Sequence, residues 1–421
     1  MLKIVLFFIF FEFAFSIDAT MEIVKNKSNL PTISVVAASD TIKDDLIDTK
    51  LLKLIQKDLQ VSSHFNDNPI VIETDYVEMP KYNQLKENGI DLYLVFRVNK
   101  DSEKRYIVNI KLYDVNTNHV VLSKSYETSS LERYPFLAHK IAIDVNRYLK
   151  APSIEWMDKF VIFARYLDSK TSEIVISDYT LTYQKVVVKG GLNIFPKWAN
   201  PEQNAFYYTS YKGVTPALMR QNLYTNHIET ILTSDGMIVC SDVSDDGKKL
   251  VLTMAPNSQP DIYVYNTETK LKTRITKYAG IDVGGNFVEN DSKIVFVSDR
   301  LKYPNIFAKK IGQNGVERMI YHGRNNSQCT TSDDYIVYSS RETDNEFGKN
   351  VFNLYLISTK SDYVRRLTTN GRNQFPKFSS NGESILFIKS TDKSYLGIIR
   401  VNYNKSFLFP LKSGKLQSID W

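Results

Sequence analysis

The side chains that most often carry out chemistry in proteins, His and Cys, are few in this chain and widely separated. The five histidines are His64, His119, His139, His227 and His322. None has a second His at the spacing of a metal-binding pair such as His-x-x-x-His, so we interpret them as surface or capping residues. For His139, beside Ala138 in an amphipathic segment, packing on a helix face is a better interpretation than catalysis. The pattern predicts no metal and no cofactor.

Nucleophile and phosphate motifs are also missing from the sequence. It contains no Gly-x-Ser-x-Gly, the turn that presents the serine nucleophile of many hydrolases. The Gly284–Gly285 pair lacks the flanking pattern of a phosphate-binding loop. Clustered carboxylates such as those of "ETDNE" fall in predicted turns. Charged side chains are common in such turns because they are exposed to water, so no catalytic role is needed to account for them. We therefore expect a protein that is not an enzyme.

The first residues have the composition of a secretory signal peptide. "MLKIVLFFIFFEFAFS" places Lys3 before an apolar stretch and ends in a small-x-small pattern at Ala14 and Ser16. We predict cleavage after Ser16, or alternatively after Ala19. An uncleaved anchor is the alternative, but the run is shorter than the roughly 20 residues of a spanning helix and contains Glu12. No second long apolar run follows, so no direct membrane span is expected in the mature chain.

The overall composition is that of a globular protein rich in β-structure. Of the 421 residues, 43% are hydrophobic and 24% are charged, and Tyr and Phe are abundant with 26 and 23 copies. The net charge is only +6, and the Lys and Arg residues are scattered among 47 acidic residues. A nucleic-acid-binding surface is therefore not predicted.

Residues 32–150 are predicted to form an α/β domain. Apolar runs predict strands at 32–39, 90–98, 106–115 and 117–128. Apolar residues at helical spacing predict helices at 44–62 and 134–149. The residues expected on the buried face of the first helix are Leu46, Leu51, Leu54, Ile55 and Leu59. Ala151–Pro152 ends the second helix and marks the predicted boundary with a second domain, 151–421.

A repeat of about 44 residues runs through this second domain. "FPKW" (195–198) and "FPKF" (375–378) begin two similar segments. The last residues of these and the comparable segments, here called the anchors, are Trp198, Val243, Phe287, Thr331, Phe378 and Trp421. The steps between the anchors are 45, 44, 44, 47 and 43 residues, and turns and strands such as "KLVLTM" follow the first five. Four strands at this period are typical of a β-propeller blade.

The two ends of the repeat predict how the propeller closes. Residues 159–189 contain three predicted strands and lack an innermost one, whereas "KLQSIDW" at the C-terminus is an anchor with no strands after it. Pairing these parts makes six blades and leaves no open blade edge. The predicted fold is an α+β N-terminal domain followed by an all-β six-bladed β-propeller closed by a C-terminal strand clasp.

The two cysteines are expected to be free and largely buried, although secretion would bring them into an oxidising compartment. Cys240 and Cys329 belong to the third and fifth blades of the predicted propeller. Their Cα atoms should therefore lie farther apart than the about 7 Å that a disulfide allows. Two cysteines alone cannot build a thiolate zinc site.

The ordered set of these features resembles the TolB family of the bacterial Tol–Pal system. "LYDVNTNHVVLSKSY" (112–126) is similar to the family's Leu-Tyr-Asp-Val-x-Thr-Gly hairpin, and "AHKIAIDVNRYL" (138–149) to its Ala-His-x-Ile-x-Asp helix. "VSDRLKYPNIF" (297–307) and "RRLTTNGRNQFPKFSSNGESILFI" (365–388) resemble two of its blade patterns. The family's Trp-Ser-Pro-Asp-Gly signature is eroded in every blade, so partner-contacting positions are harder to transfer.

The resemblance implies a periplasmic interaction scaffold with two partners. One is the peptidoglycan-associated lipoprotein, Pal, expected at one mouth of the propeller. The other is the inner-membrane protein TolA, expected at the mature N-terminal segment, residues 17–31. The residues expected to add a strand to TolA are Thr20, Met21, Glu22, Ile23, Val24 and Lys25. Competition between the partners would support outer-membrane integrity and constriction at cell division, whereas a frayed terminus is the alternative interpretation of this segment.

The propeller mouth that should bind Pal is predicted from topology. Loops that join successive blades lie on one side of a propeller, and here they are 191–195, 236–239, 280–283, 323–328 and 371–375. The predicted contact residues are Asn193, Ile194, Met237, Ile238, Asp282, Val283, Asn326, Ser327, Asn373 and Gln374. Their mixture of apolar and amide side chains suits a protein-binding rim, although loops that are merely hydrated are the alternative.

A second class of function is a propeller-based hydrolase, or a small-ligand binder that holds a sugar or peptide in the central channel. Similar propellers precede the hydrolase domain of prolyl-oligopeptidase-like peptidases, but those enzymes carry the serine turn that this sequence lacks. A buried acid or base with a shifted pKa in the channel would favour this class. Its absence would favour the scaffold.

Overall fold

The structure is a computed structural model that describes residues 30–42, 46–103, 105–342, 351–361 and 363–421. In this part of the chain an N-terminal α/β domain precedes a β-propeller region. Beyond residue 160 the described elements are strands and short 3-10 turns. The predicted fold class, α+β followed by all-β, is confirmed.

The N-terminal domain is built on a mixed β-sheet. Its strands are β1 (Thr32–Ala37), β2 (Asn66–Asp67), β3 (Leu92–Lys100), β4 (Tyr106–Asp114) and β5 (His119–Thr128). Their order across the sheet is β2-β1-β3-β4-β5. β1 is parallel to β2 and β3, which it reaches through longer connections, whereas β3, β4 and β5 follow one another as antiparallel hairpins.

Helices cover both faces of this sheet. They are α1 (Ile47–Ser62), α2 (Tyr82–Glu87) and α3 (Tyr134–Tyr148). On one face α1 and α3 pack side by side, and Leu51 and Ile141 share a core with Leu94 of β3. On the other face Leu85 of α2 packs with Tyr93 of the same strand. Successive residues of β3 therefore enter opposite cores, as the two-residue period of a strand requires.

The predicted buried face of α1 is right except at its first residue. Leu51, Leu54, Ile55 and Leu59 are buried, but Leu46 is 63% exposed. Leu46 precedes the helix in a left-handed conformation (φ 57°), so its side chain does not follow the helical spacing of the others. The apolar spacing of the sequence thus continues one residue before the first residue of the helix, Ile47.

The propeller region consists of successive antiparallel strands. They are β6 (Val161–Tyr166), β7 (Ser172–Ser177), β8 (Gln184–Val188), β9 (Asn193–Trp198), β10 (Ala205–Ser210), β11 (Ala217–Asn222), β12 (Ile228–Thr233), β13 (Ile238–Val243), β14 (Lys249–Met254), β15 (Asp261–Asn266), β16 (Lys272–Arg274), β17 (Asp282–Val288), β18 (Lys293–Ser298), β19 (Asn305–Lys310), β20 (Glu317–Arg318), β21 (Arg324–Ser332), β22 (Tyr335–Arg341), β23 (Phe352–Ser358), β24 (Val364–Arg366), β25 (Arg372–Phe378), β26 (Ser384–Ser390), β27 (Ser394–Arg400), β28 (Lys405–Pro410) and β29 (Lys415–Asp420).

These strands pair in groups of four. The groups are β29-β6-β7-β8, β9 to β12, β13 to β16, β17 to β20, β21 to β24 and β25 to β28. One parallel bridge, between Phe352 and Arg372, also links the fifth and sixth groups. The first group joins the two ends of the region, because β29 pairs antiparallel with β6, for example Ile419 with Phe163. This is the pairing that the C-terminal sequence "KLQSIDW" predicts.

The first strand of each group faces the centre of the molecule. These inner strands are β29, β9, β13, β17, β21 and β25; each contacts the next in this order, and β25 contacts β29. Every inner strand also has a register shift, or β-bulge, in its ladder with the second strand. At the bulge Phe195, Gln328 and Phe375 have positive φ of 50–55°. A bulge changes which side chains point inward, and the sequence pattern alone did not reveal it.

The N-terminal domain covers one side of the propeller. Its contacts involve the connections between the third and fourth strands of the first and sixth groups, as in the hydrogen bond from Arg400, at the end of β27, to His64 Nε2 of the N-terminal domain (3.3 Å). We call this side the lower side. The connections from the fourth strand of one group to the inner strand of the next lie on the opposite, upper side.

Candidate functional site

The residue before each anchor points into the central channel. These residues are Lys197, Asp242, Asn286, Thr330, Lys377 and Asp420, one from each inner strand, and we call them the channel ring. Two of them are the lysines of "FPKW" and "FPKF". The ring carries two positive and two negative charges at a single level of the channel.

Lys197 is the fully paired lysine of the ring. Its ammonium nitrogen lies 3.1 Å from an oxygen of Asp242 and 3.1 Å from an oxygen of Asp420. Burial alone would lower the pKa of Lys197, but the two carboxylates together raise it above its usual value. Both carboxylates are also held by the backbone, because Asp420 accepts from the Trp198 N–H (2.8 Å) and Asp242 from the Phe287 N–H (2.9 Å).

Lys377 is paired much less closely. Its ammonium lies 3.8 Å from Asp420, on the oxygen that already accepts from Lys197. Burial and the neighbouring charge of Lys197 lower the pKa of Lys377, and the more distant carboxylates only partly oppose them. The two similar tetrapeptides "FPKW" and "FPKF" thus place in the ring two lysines whose pKa values are shifted in opposite directions.

The ring is the constriction between two cavities. Lys197, Asn286 and Lys377 line both of them. The upper cavity, about 410 Å³, is walled largely by apolar side chains, namely Phe195, Pro196, Met237, Val283, Phe375 and Pro376. The lower cavity, about 520 Å³, is polar. The channel therefore changes character at the level of the ring.

The two mouths also differ in charge. Acidic residues dominate the lining of the lower cavity: Asp242, Asp245, Glu289, Asp291, Asp333, Asp334 and Asp420. Beside the upper cavity a groove of about 890 Å³ runs between the sixth and first groups. Its charged lining residues are Arg372, Lys393, Lys412 and Lys415 together with one acid, Asp392. The upper mouth is thus basic, and an acidic partner surface would be attracted to it.

Most of the predicted contact residues lie within the inner strands and not in loops. Met237 precedes β13, whereas the other predicted residues belong to β9, β13, β17, β21 and β25. Three of them, Asn193, Asn326 and Asn373, are fully buried. Each Asn amide donates to the carbonyl of a residue three or four positions earlier: Gly190 (2.8 Å), His322 (2.9 Å) and Asn370 (2.8 Å). These amides fix the connecting loop and are not available to a partner.

Three further predicted contact residues are buried for other reasons. Ile194 and Ile238 have buried side chains, with 7% and 0% exposure, and Ile238 belongs to the hydrophobic core shared by the second and third groups. The carboxylate of Asp282 is buried and forms an ion pair with Arg300 (2.9 Å). The side chains of these three residues are therefore buried, because a strand that faces the channel still buries every second side chain between blades. Their role in binding stays a prediction.

The remaining predicted contact residues are accessible. Met237 and Val283 line the upper cavity, and Gln374 lines the basic groove. Ser327 is half-buried in β21. The structure thus brings Met237 and Val283 to the upper mouth and keeps Gln374 beside it. Their role in binding stays a prediction.

The predicted TolA-binding residues, Thr20 to Lys25, lie outside the described residues. The described chain begins at Leu30, whose carbonyl accepts from the Asn66 side chain (2.9 Å) at the edge of the five-stranded sheet. The described part of the chain therefore starts beside β2.

Both cysteines are free and buried in the structure. Cys240 and Cys329 line the upper cavity on separate inner strands, β13 and β21. Burial raises the pKa of both thiols well above the usual value, which keeps them protonated and weakly reactive.

A second charged cluster lies between the two domains, and sequence reasoning missed it. His139 of α3, Asp58 of α1 and Asp178 of the β7–β8 connection are fully buried. His139 Nδ1 lies 2.7 Å from Asp58, and its Nε2 lies 3.4 Å from Asp178. Burial alone would lower the pKa of His139, but the two carboxylates outweigh it and raise the pKa to about 10. His139 is thus a buried cation, not a simple packing residue.

Two more residues complete this cluster. The Tyr179 hydroxyl donates to Asp58 across the domain boundary. Asp178 accepts from the backbone N–H groups of Thr180 (2.8 Å) and Tyr183 (2.6 Å). Each carboxylate is therefore held both by His139 and by the propeller.

His64 belongs to a second buried polar cluster between the domains, in which the imidazole is neutral. The sequence pattern had indicated a surface or capping residue. Its Nδ1 donates to the Asn146 amide oxygen (2.5 Å), and its Nε2 accepts from the buried Arg400 guanidinium (3.3 Å). Burial and the charge of Arg400 lower the pKa of His64 to about 4. Arg400 belongs to the propeller, so this contact also joins the domains. His119, His227 and His322 are exposed, as predicted.

Metal-binding clusters and membrane-spanning helices are both absent from the described ranges. No group of three or more His, Cys, Asp or Glu side chains there could hold a metal ion. No helix there is long and apolar enough to span a bilayer.

The channel ring could have been found from the sequence. Its six members share one position in the repeat, immediately before each anchor, and a shared position on inner strands implies a shared level in the channel. The lysines of "FPKW" and "FPKF" were the visible signal. Their different pairing could not be read in this way, because it depends on which residues stand next to them around the ring.

Comparisons with known proteins give a consistent result. The TolB beta propeller domain matches residues 159–421, and the TolB amino-terminal domain matches residues 19–121. "Tol-Pal system protein TolB" of Wolinella succinogenes is 49% identical over 97% of each chain. The protein of the same name from Helicobacter hepaticus is 48% identical over 97% of this chain and 96% of its own.

A solved structure supports the fold. TolB from Acinetobacter baumannii is similar with a TM-score of 0.78 and 20% identity, over 93% of this chain and 96% of that chain. The full-length identities and the two matched domains lead to one conclusion: the chain belongs to the TolB family.

Proposed function

We propose that this protein is a non-enzymatic scaffold of the Tol–Pal system in the periplasm of a Gram-negative cell. It binds the peptidoglycan-associated lipoprotein, Pal, at the upper mouth of the propeller and TolA through residues 20–25. In this way it supports outer-membrane integrity and constriction at cell division. The observation that carries the proposal is the 49% identity over 97% of both chains with a relative named as a Tol–Pal component.

The geometry of the upper mouth supports its choice as the Pal site. It lies opposite the N-terminal domain, so that domain does not obstruct it. An apolar cavity lies beside a basic groove there. Apolar anchor pockets with a charged rim are the usual construction of a protein-binding site.

A single charged substitution tests this site. Met237→Asp places a carboxylate in the apolar wall of the upper cavity, and we expect at least tenfold weaker binding of the soluble part of Pal. Met79→Asp is the matched control, because Met79 is 68% exposed on the N-terminal domain. Equal affinities of the two variants in a calorimetric titration would contradict the proposed face. Asp282 is unsuitable for such a test because its buried ion pair with Arg300 supports the fold.

The N-terminal segment has its own test. Deleting residues 20–25 should abolish capture of TolA while binding of Pal is unchanged, because the deletion leaves every residue of the propeller in place. Retained TolA binding would refute the proposed strand addition. Sequencing the N-terminus of protein recovered from the periplasmic fraction checks both localisation and cleavage after Ser16 or Ala19.

A small-ligand binder remains the second candidate, since one observation favours it. The channel does contain a group with a perturbed pKa, Lys377, at the floor of a cavity within the common size range of ligand sites. A hydrolase has less support, because the described surroundings of Lys377 supply carboxylates already bound to backbone or Lys197. Screening the purified protein against sugars and peptides by thermal shift tests the binder.

A further inference from the structure

His64 lies where the N-terminal domain meets the sixth group of the propeller, on the turn that follows α1. Its side chain is buried, and its Nδ1 lies 2.5 Å from the amide oxygen of Asn146 on α3. Its Nε2 lies 3.3 Å from a guanidinium nitrogen of Arg400, which ends β27 and is itself fully buried. The imidazole therefore forms a hydrogen-bonded bridge from the N-terminal domain to the propeller.

The neighbours of His64 decide which protons its ring can carry. The Asn146 amide nitrogen donates to the Pro152 carbonyl (2.9 Å), which turns the amide oxygen toward His64, so Nδ1 carries the hydrogen of that bond. A guanidinium has donors and no acceptor, so Nε2 must offer a lone pair to Arg400. Only the neutral imidazole satisfies both neighbours.

The surrounding charges also disfavour a protonated ring. Burial is the largest cause that lowers the pKa of His64, and the cations Arg400 and Lys405 lower it further, to about 4. The acid beside Arg400 is Glu383, 3.7 Å from the guanidinium and 23% exposed at its side chain. The Tyr403 ring lies 5.2 Å from the rings or guanidinium of both His64 and Arg400 and is uncharged at neutral pH. On α3 the partner of the imidazole is a neutral amide.

A proton on Nε2 would convert this hydrogen bond into a repulsion. The ring would then direct an N–H group at the N–H groups of Arg400, and two adjacent cations would be buried together. The imidazolium regains water as a partner only when the N-terminal domain moves away from Arg400. The guanidinium still donates to the Ser384 hydroxyl within the propeller (2.8 Å), so its own position does not depend on His64 alone.

We propose that the contact between His64 and Arg400 is an acid-sensitive switch between the two domains, closed while His64 is neutral and opened when His64 takes up a proton. The second charged contact of the junction, formed by His139 with Asp58 and Asp178, already contains a protonated histidine. It therefore gains no further histidine charge in acid and can act as the pivot of the opening. The switch acts within one chain and does not depend on which partner the protein binds.

Proton linkage gives the size of the effect. The pKa of His64 is about 4 in the closed contact, and a ring exposed by opening would return to about 6.5. The open form then binds the proton more tightly, so acid favours opening. The equilibrium constant for opening should be roughly 30-fold larger at pH 5 than at pH 7.5.

Hydrogen exchange followed by mass spectrometry tests the switch in the mature chain at the two pH values. Exchange rates, corrected for the intrinsic effect of pH, report local opening. In the unmodified chain we expect residues 61–66 and 400–405 to exchange roughly 30-fold faster at pH 5. His64→Gln keeps one donor and one acceptor but takes up no proton, so its corrected rates should be equal at both pH values. His119→Gln, on an exposed His, is the matched control and should keep the acid response.

Two further measurements distinguish the switch from other effects of acid. Exchange in β14, within the propeller, should be unchanged at pH 5, and faster exchange there would mean general unfolding and would contradict the switch. Glu383→Gln removes the carboxylate beside Arg400 and should keep the acid response. A response that persists in His64→Gln would show that another group is responsible. Equal corrected rates at both pH values in the unmodified chain would refute the proposal.

Discussion

The junction between the domains and the channel ring both bury charged side chains, but they balance the charges differently. At the junction His139 lies between Asp58 and Asp178, and each carboxylate has further donors. In the ring Lys197 has two carboxylates at 3.1 Å, whereas Lys377 has a shared one at 3.8 Å. The cluster at the junction holds two parts of one chain together, whereas the ring pairs one of its lysines closely and the other loosely.

The comparison also explains why the two lysines of one motif should contribute differently to stability. Lys197 stands between Asp420 and Asp242 in the ring, whereas Lys377 stands between Asp420 and Thr330. A buried pair that loses one member leaves an uncompensated charge, which is costly. We therefore expect Lys197 to contribute more to stability than Lys377 does.

The largest effect is expected from removing the strand that contributes to both regions. Truncation after Gly414 deletes β29, which brings Asp420 to the ring and places Trp421 against Trp156 at the junction (ring centroids 5.1 Å apart). The first group then loses its inner strand, so we expect a fall in melting temperature of more than about 10 °C or insoluble protein. Thermal melting followed by circular dichroism measures this. Lys415→Ala, which alters an exposed side chain of the same strand, is the control; equal melting of all three proteins would contradict the strand's role.

A smaller but still large loss should follow from His139→Gln. The change leaves the buried carboxylates of Asp58 and Asp178 without their cation and should cost about 3–5 kcal/mol in the free energy of unfolding. Urea denaturation at pH 7 measures it, and His119→Gln, on an exposed His, is the control. Adding Asp58→Asn to His139→Gln should recover part of the loss; a further additive loss would show that charge is not the cause.

The same variant gives a pH test. The pKa of His139 is raised to about 10 in the folded protein from about 6.5 when unfolded, so its contribution is complete below pH 6.5 and is lost as the pH rises toward 10. The unmodified chain should lose stability over that range, and His139→Gln should show a flatter profile. Parallel profiles would mean that His139 is neutral in the fold.

A moderate effect should distinguish the two lysines of the ring. Lys197→Met leaves two carboxylates facing the channel without their cation and should lower the free energy of unfolding by about 2 kcal/mol. Lys377→Met should leave it unchanged or raise it slightly. Denaturant titration of the two matched variants measures both free energies of unfolding. Equal losses would contradict the distinction between a closely paired and a loosely paired lysine.

The smallest effect is expected at His64 and has the opposite pH dependence to that of His139. The pKa of His64 falls to about 4 in the fold, so its contribution is present above pH 6.5 and is lost as the pH falls toward 4. His64→Gln keeps one donor and one acceptor for Asn146 and Arg400, and it should change stability at pH 7 by about 1 kcal/mol or less. Its profile between pH 6.5 and 4 should be flatter than that of the unmodified chain; an unchanged slope would assign the acid loss to other groups.

Periodicity in the sequence predicted the architecture because backbone geometry is local. Alternating apolar residues identify strands such as "KLVLTM", and a four-strand unit that recurs every 44 residues or so has few ways to bury its faces other than in a ring of blades. The partial first blade and the isolated last strand predicted their own pairing, which is observed between β6 and β29. In the N-terminal domain the apolar pattern began before the helix itself, at Leu46.

The site depended on what the sequence pattern does not contain. Each inner strand has a bulge, and a bulge moves side chains from one face of the strand to the other. As a result the residues before the anchors form the channel ring. Asn193, Asn326 and Asn373 instead hold the connecting loops through their side-chain amides. Residues of the two domains met only after both had folded, which turned His139 and His64 from isolated histidines into members of buried polar clusters. The sequence by itself determined the strands, the repeat and the pairing of its ends, because these follow from local backbone preference and burial. Tertiary structure alone decided which charges meet, because the pKa and the role of a buried charge depend on neighbours that are distant in the chain.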